Sequence, residues 1–108
     1  MEPVVITVAP VGGELSRDEQ PHLPLSPEEI GVEVARAAGA GASIVHVHAR
    51  DERGVPTQDR AAFEAILGAI RERCDIVVQT STGGSVGMTE EERAQPLDLD
   101  PEMASLTT

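Results

Sequence analysis

Lysine is absent from this chain of 108 residues, and all eight of its basic residues are arginines. A Schiff base requires a lysine amine, and a phosphate-binding P-loop ends in a lysine followed by serine or threonine, so this chain offers neither. Basic charge is also scarce, because the formal net charge is −11. An acidic chain argues against binding to nucleic acid, which needs a basic footprint, and against anionic membrane surfaces.

Cysteine is nearly absent. Cys74 is the only one, which excludes a disulfide within the chain and favours a reducing cytoplasm as its compartment. The first ten residues, MEPVVITVAP, lack the basic start and long apolar centre of a signal peptide. No apolar run reaches the ~18–20 residues that cross a bilayer. We therefore expect a cytoplasmic protein without a membrane partner.

Short apolar runs alternate with helical patterns along the chain. The first helix has a clear start, because Ser26 can cap it, Pro27 suits its first turn and Glu29 completes a capping box. Thr89 begins a second capping box further along. The predicted strands are 4–9, 43–48, 75–79 and 103–107, and the predicted helices are 26–39, 59–73 and a short one starting at Thr89. Residues 50–58 are predicted to be a polar turn.

This β-α-β-α-β-α-β order predicts an α/β fold with a parallel sheet and right-handed crossovers. An open doubly wound sheet and a (β/α)8 barrel both fit the order. A (β/α)8 barrel takes ~250 residues, and the last predicted strand has no helix after it. We therefore expect residues 1–108 to be one incomplete domain that is truncated in or just after its fourth strand.

Two of the three histidines, His46 and His48, lie in the run SIVHVHARD at the end of the second strand. Residues two apart in a strand point to the same side, so both imidazoles can reach one Zn²⁺ at ~2.0–2.1 Å. The alternative is that one histidine packs in the core and the other faces a loop. Arg50 and Asp51, which follow directly, either orient the histidines or pair with each other at the surface.

Residues that can bind a ligand follow other strand ends as well. After the first strand, Gly12 and Gly13 allow the backbone to approach a ligand, and Glu14 is the next carboxylate. After the third strand, the segment TSTGG at 80–84 offers N–H and O–H donors suited to a carboxylate or phosphate. Ser105 lies in the fourth strand. Solvated loops would explain each of these segments separately.

Several linked motifs in this order resemble the β-keto acid cleavage enzyme family. The resemblance rests on VGGELSRDEQPHLPLSPEEI, IVHVHARDERGVPTQD, VVQTSTGGSVGMTEEER and PEMASL. It implies a (β/α)8 barrel that uses a divalent metal, usually zinc, as a Lewis acid. It also implies that a β-keto acid reacts with acetyl-CoA to give acetoacetate and a new CoA thioester. The complete protein is then expected to be a homo-oligomer.

The resemblance also implies roles for particular residues. The implied zinc ligands are His46 and His48, and the implied contacts to the keto acid are Glu14, Ser81, Gly84 and Ser105. In this family a glutamate that serves as the third zinc ligand comes from a late strand of the barrel. An arginine and an aspartate that help to activate the keto acid also come from late strands. We expect all three to lie outside these 108 residues.

Two other functions are consistent with the sequence. An amidohydrolase-like metal hydrolase also uses His-x-His on a barrel strand, but normally on the first strand, whereas a complete βα unit precedes the pair here. An inactive truncated fragment with at most weak metal binding is the second alternative. The 108-residue chain by itself is expected to be inactive, because the implied site is incomplete.

Overall fold

The computed structural model describes residues 2–106 and contains a parallel sheet of four strands. The sheet consists of β1 (Thr7–Val8), β2 (Ile44–Val47), β5 (Val77–Thr80) and β6 (Met103–Ala104). Its strands lie in the order β1-β2-β5-β6, so each strand neighbours the strand of the same sheet that precedes it in the chain. A small antiparallel hairpin of β3 (Ala49–Arg50) and β4 (Pro56–Thr57) follows β2 directly.

The helices start where the sequence supplies their caps. They are α1 (Pro27–Gly39), α2 (Arg60–Arg71) and α3 (Glu90–Ala94), and a 3-10 turn (Gln95–Leu99) follows α3. Ser26 and Glu29 form the capping box of α1, and Thr89 and Glu92 form that of α3. Each box satisfies backbone N–H groups that have no partner inside the helix. Asp59 caps α2 by accepting a hydrogen bond from the N–H of Ala62.

One side of the sheet is covered by α1 and α2, which pack against each other. Every second strand residue faces this side, and Val45, Val47 and Val78 are at most 1% exposed. The helices supply the other half of the core with Ile30, Val34, Phe63, Ile66, Leu67 and Ile70. We call this the helix-covered side. Its apolar stripe arises because core residues recur at a spacing of three or four along each helix.

The other strand residues point away from the helices and form what we call the open side. In β2 and β5 these residues are Ile44, His46, Val77 and Gln79, and all four are partly exposed. The parallel register places His46 beside Gln79 on the neighbouring strand. The open side therefore combines apolar and polar side chains, and two of them are candidates for chemistry.

The predicted order of elements is confirmed, and several predicted bounds are wrong. The first strand has two residues instead of six, because β1 pairs with β2 only at Thr7 and Val8. The predicted polar turn at 50–58 contains one strand of the hairpin and part of the other. The final predicted strand is observed as Met103–Ala104, and residue 107 lies outside the described residues. Within residues 2–106, none of the helices is long and apolar enough to cross a membrane.

Candidate metal and substrate site

The two histidines of the site lie at the carboxyl end of β2. His46 is in the strand, His48 follows it, and both side chains are half-buried. Their Nε2 atoms are 3.2 Å apart, and the rings meet edge to face at a centroid distance of 5.0 Å. Two nitrogens bound at ~2.1 Å to one tetrahedral zinc lie roughly 3.4 Å apart. The pair therefore fits two ligand positions of one metal ion.

Gln79 is the polar neighbour of this pair. Its Oε1 lies 2.6 Å from Nδ1 of His46, across the β2–β5 register. A carboxamide oxygen can only accept a hydrogen bond, so this contact requires the imidazole proton of His46 on Nδ1. Nε2 of His46 then carries the free lone pair. The sequence did not point to Gln79, because a glutamine within a strand has no motif and its partner is fixed only by the strand register.

His48 is held in its neutral form by its surroundings. Burial is the main cause that lowers the pKa of His48, and the nearby His46 and Arg50 lower it further. A neutral imidazole is the form that binds a metal ion. The lowered pKa of His48 therefore leaves the neutral, metal-binding form of the imidazole available.

Arg50 ties together the two segments that flank the histidines. The side chain is 8% exposed, and its guanidinium donates to the carbonyl oxygens of Gly12, Leu15 and Gly54 at 2.8–3.1 Å. Within residues 2–106 its hydrogen bonds go to carbonyl groups alone. The surface pairing with Asp51 considered from the sequence is therefore wrong, and the other role, orienting the histidines, does not run through a direct hydrogen bond to either imidazole. Arg50 instead fixes the loop after β1, which carries Glu14.

Glu14 itself is exposed in that loop. The loop passes close to the histidines, because a Cβ atom placed on Gly13 would lie 3.9 Å from Nδ1 of His48. The structure therefore brings the backbone next to Glu14 alongside the metal-ligand candidates. Asp51 stays out of this group, since its carboxylate accepts from the backbone N–H groups of Arg53 and Val55.

Ser81 begins the loop that leaves β5. It is buried, its N–H donates to the carbonyl of Val47 at 3.0 Å, and its Oγ accepts from the N–H of Gly83 at 3.1 Å. The amide of Gln58 supports the same loop by donating to the carbonyl oxygens of Ser81 and Arg93. The serine hydroxyl is thus an acceptor within the loop and keeps its own proton available for donation.

Gly84 continues this loop with a left-handed backbone at φ 62°. A Cβ atom at this position would lie 2.8 Å from Cγ of Arg93 and 3.0 Å from Sδ of Met88. Glycine is therefore favoured here by both the backbone conformation and the limited space. Arg93 in turn donates from Nε to the carbonyl of Thr82 at 2.9 Å, which fixes the loop against α3.

Ser105 joins the end of β6 to the same loop. Its Oγ accepts from the N–H of Thr82 at 3.1 Å, and its carbonyl accepts from the hydroxyl of Thr82 at 2.6 Å. Its own N–H donates to the carbonyl of Thr80 at 3.0 Å. Ser105 is therefore hydrogen-bonded to the loop that also carries Ser81 and Gly84, at the carboxyl ends of β5 and β6.

All of the predicted site residues lie at the carboxyl ends of the strands, where parallel sheets place their ligands. Between residues 2 and 106, no cluster of three or more histidine, cysteine, aspartate or glutamate side chains could hold a metal ion. Two clefts of about 960 and 1230 Å³ lie elsewhere, against α1 and the hairpin, and contain none of the predicted site residues. The histidine pair on the open side is thus the better candidate on chemical grounds.

The chain is similar to curated enzymes over nearly its whole length. It is 50% identical over 107 residues to the 3-keto-5-aminohexanoate cleavage enzyme of Fusobacterium nucleatum, which covers 98% of this chain and 39% of that enzyme. It is 46% identical over 105 residues to the 3,5-dioxohexanoate:acetyl-CoA acetone transferase of Paraburkholderia graminis, covering 95% and 34% of the two chains. The chain thus spans about two fifths or less of the length of these relatives.

A solved structure and a family model agree with these similarities. The apo structure of ObcA is 26% identical, with a TM-score of 0.58 over 68% of this chain and 19% of that chain. Residues 3–108 match the model of the beta-keto acid cleavage enzyme family. The resemblance found in the motifs is confirmed, and the chain belongs to the beta-keto acid cleavage enzyme family.

Proposed function

We propose that the complete protein catalyses a zinc-dependent acyl exchange between a β-keto acid and acetyl-CoA. The products would be acetoacetate and a new acyl-CoA. The observation that carries this proposal is the 3.2 Å separation of the Nε2 atoms of His46 and His48 at a strand end. Membership of the family supports the reaction class, and the relative from Paraburkholderia graminis is a transferase named for acetyl-CoA.

In this proposal His46 and His48 hold the metal ion. A glutamate from a late strand of the complete protein, outside residues 1–108, completes the ligand set. When bound, zinc supplies a Lewis acid for the 3-keto oxygen of the substrate. The loop of residues 81–84 supplies O–H and N–H donors for the carboxylate, and Ser105 contacts the keto acid and also holds that loop in place. Glu14 contacts the substrate from the loop that Arg50 fixes.

We also propose that residues 1–108 form the first three and a half βα units of a (β/α)8 barrel. The order β1-β2-β5-β6 supports this, because a barrel places consecutive strands side by side. The open side, with His46 and Gln79, would then face the interior of the barrel. The complete protein would be a cytoplasmic homo-oligomer, and its single cysteine in this segment suits a reducing compartment.

The test is an assay of the complete protein with 3-keto-5-aminohexanoate and acetyl-CoA, in which mass spectrometry follows acetoacetate and the new CoA thioester. We expect turnover to require acetyl-CoA and His46→Ala to lose both bound zinc and turnover. His22→Ala is the matched control, because His22 is an exposed loop histidine. Substrate turnover with water alone would contradict the transfer and favour a metal hydrolase. The 108-residue chain, assayed in parallel, should be inactive and bind zinc weakly at most.

A further inference from the structure

We propose that Gln79 is a positioning residue for the metal site, and this inference rests on the proposed function. Its carboxamide oxygen would set the tautomer and ring orientation of His46, so that Nε2 of His46 is directed at the metal position shared with His48. The 2.6 Å contact from Gln79 Oε1 to His46 Nδ1 carries the inference. Gln79 would act through His46 and need not touch the substrate.

The tautomer decides whether His46 can be a ligand at all. A neutral imidazole carries one proton, and a metal can bind only the nitrogen that lacks it. Because Gln79 Oε1 accepts from Nδ1, it keeps the proton away from Nε2. Nε2 is the atom that lies 3.2 Å from Nε2 of His48. Without this acceptor, the proton of His46 could occupy either ring nitrogen, and the imidazole ring could rotate.

The position of Gln79 in the sheet makes it a rigid support. It lies in β5 directly opposite His46, between Val78 and Thr80, which are both fully buried on the helix-covered side. The side chain therefore emerges from a fixed backbone position and needs only a short reach to the imidazole. The contact is set by the parallel register, so it does not depend on a mobile loop.

The choice of an amide has a chemical consequence. A carboxylate at the same place would also accept from Nδ1 but would add a negative charge beside the metal. That charge would hold the cation more tightly and reduce its power to withdraw electrons from a substrate oxygen. Glutamine fixes the ring and leaves the full charge of the metal available. The acceptor oxygen should therefore support zinc affinity, and the absence of a negative charge should favour turnover.

Three variants of the complete protein test how the acceptor oxygen affects zinc affinity and how the absence of charge affects turnover. Gln79→Met keeps the length of the side chain but has no strong acceptor, and Gln79→Glu keeps the oxygen and adds charge. Gln20→Met is the control, because Gln20 is an exposed residue between β1 and α1 and lies outside the strands of the sheet. The zinc dissociation constant is measured by competition with a chromophoric chelator. The histidine tautomers of the metal-free proteins are read from ¹⁵N NMR of the ring nitrogens at about pH 8, where free histidine is neutral.

We expect Gln79→Met to bind zinc about 10–100-fold more weakly, as is typical when the partner of a metal-bound histidine is lost. Gln79→Glu should bind zinc at least as tightly as the wild type and turn over more slowly. The NMR spectrum should show His46 protonated on Nδ1 in the wild type and a mixture of tautomers in Gln79→Met. A purely structural role would not change the tautomer.

The outcomes separate this inference from the proposed function. If the wild type binds zinc and Gln79→Met binds it equally well, the positioning role is wrong and the metal site stands. If His46 in the wild type carries its proton on Nε2, the positioning role is wrong as well. If the wild type binds no zinc, the metal site itself is overturned, and the role of Gln79 falls with it.

Discussion

The two sides of this sheet are built from alternate residues of the same strands, and they differ in burial and in the polarity of their contacts. In β2, Val45 and Val47 are at most 1% exposed under the helices, whereas His46 between them is half-buried on the open side. The helix-covered side is closed by apolar contacts, and the polar contact between His46 and Gln79 lies on the other side. One short strand thus stabilises the fold with one set of residues and supplies candidate ligands with the other.

A substitution on the helix-covered side should give the largest loss of stability. Phe63 is fully buried and is the largest side chain of the core. Phe63→Ala should lower the free energy of unfolding by about 3–5 kcal/mol, because it removes apolar contacts and leaves a cavity. Urea unfolding of the complete protein measures this loss. The zinc affinity of the folded protein should stay unchanged.

Val86→Ala is the control for that experiment, since Val86 is an apolar residue that is fully exposed in a loop. It should change the free energy of unfolding by no more than about 0.5 kcal/mol. Weaker zinc binding in folded Phe63→Ala would show that the two sides are coupled through the sheet. The helix-covered side would then affect the metal site as well as stability.

A substitution at the strand ends should give a smaller loss of stability and a larger effect on the site. Arg50→Lys keeps the charge but loses the guanidinium that joins three carbonyl groups. We expect a loss of about 1.5–3 kcal/mol, the range for hydrogen bonds to charged groups. The amides of residues 12–15 should exchange hydrogen faster, and KM should rise, because the loop that carries Glu14 is loosened.

Hydrogen exchange by mass spectrometry and steady-state kinetics measure these two effects. Arg53→Lys is the control, because Arg53 is an exposed residue of the same hairpin. Unchanged exchange at 12–15 together with a lower kcat would assign Arg50 to the chemistry and not to the support of the loop.

The smallest effect is expected at the capping box of α1, and it depends on pH. Hydrogen bonds from the backbone N–H groups of Ser26 and Leu25, with the nearby Arg17, hold the pKa of Glu29 below its usual 4.5. A carboxylate with a lowered pKa stabilises the folded state above pH 4.5, and this contribution is lost as the pH falls through the folded-state pKa. Glu29→Gln should therefore cost less than about 1 kcal/mol at pH 7, since the group is largely exposed.

The difference between Glu29→Gln and the wild type should shrink as the solution is acidified below pH 4.5. Urea unfolding at several pH values measures it. Glu28→Gln is the control, because Glu28 lies in the same first turn and takes no part in the capping box. A difference that grows on acidification would contradict the assigned role of the carboxylate.

The helix-covered side could be predicted well from the sequence, because its signals are local. The segment predicted for α1 matches the structure to within one residue, since Ser26 and Glu29 are only three positions apart and form the cap by themselves. The strand bounds were less predictable. Val4, Val5 and Ile6 have the composition of a strand but are mostly exposed, because strand length depends on a partner and not on composition.

The open side was predictable in its residue types and not in its contacts. The spacing of His46 and His48 was sufficient to place them together. The role of Arg50 could not be found, because its acceptors are backbone carbonyls up to 38 residues away, and carbonyls are the same in every residue. Gln79 was missed for a related reason: its contact depends on a register between strands that are 33 residues apart.

The strand order has a consequence for how such a sheet can be made during translation. Each strand lies beside its predecessor, so the sheet can grow at one edge as the chain leaves the ribosome, with every new βα unit docking on a surface that is already formed. The first strand is the exception, because its outer edge has no neighbour within this four-stranded sheet. The unpaired backbone at risk of aggregation is that of the growing edge and of the outer edge of β1.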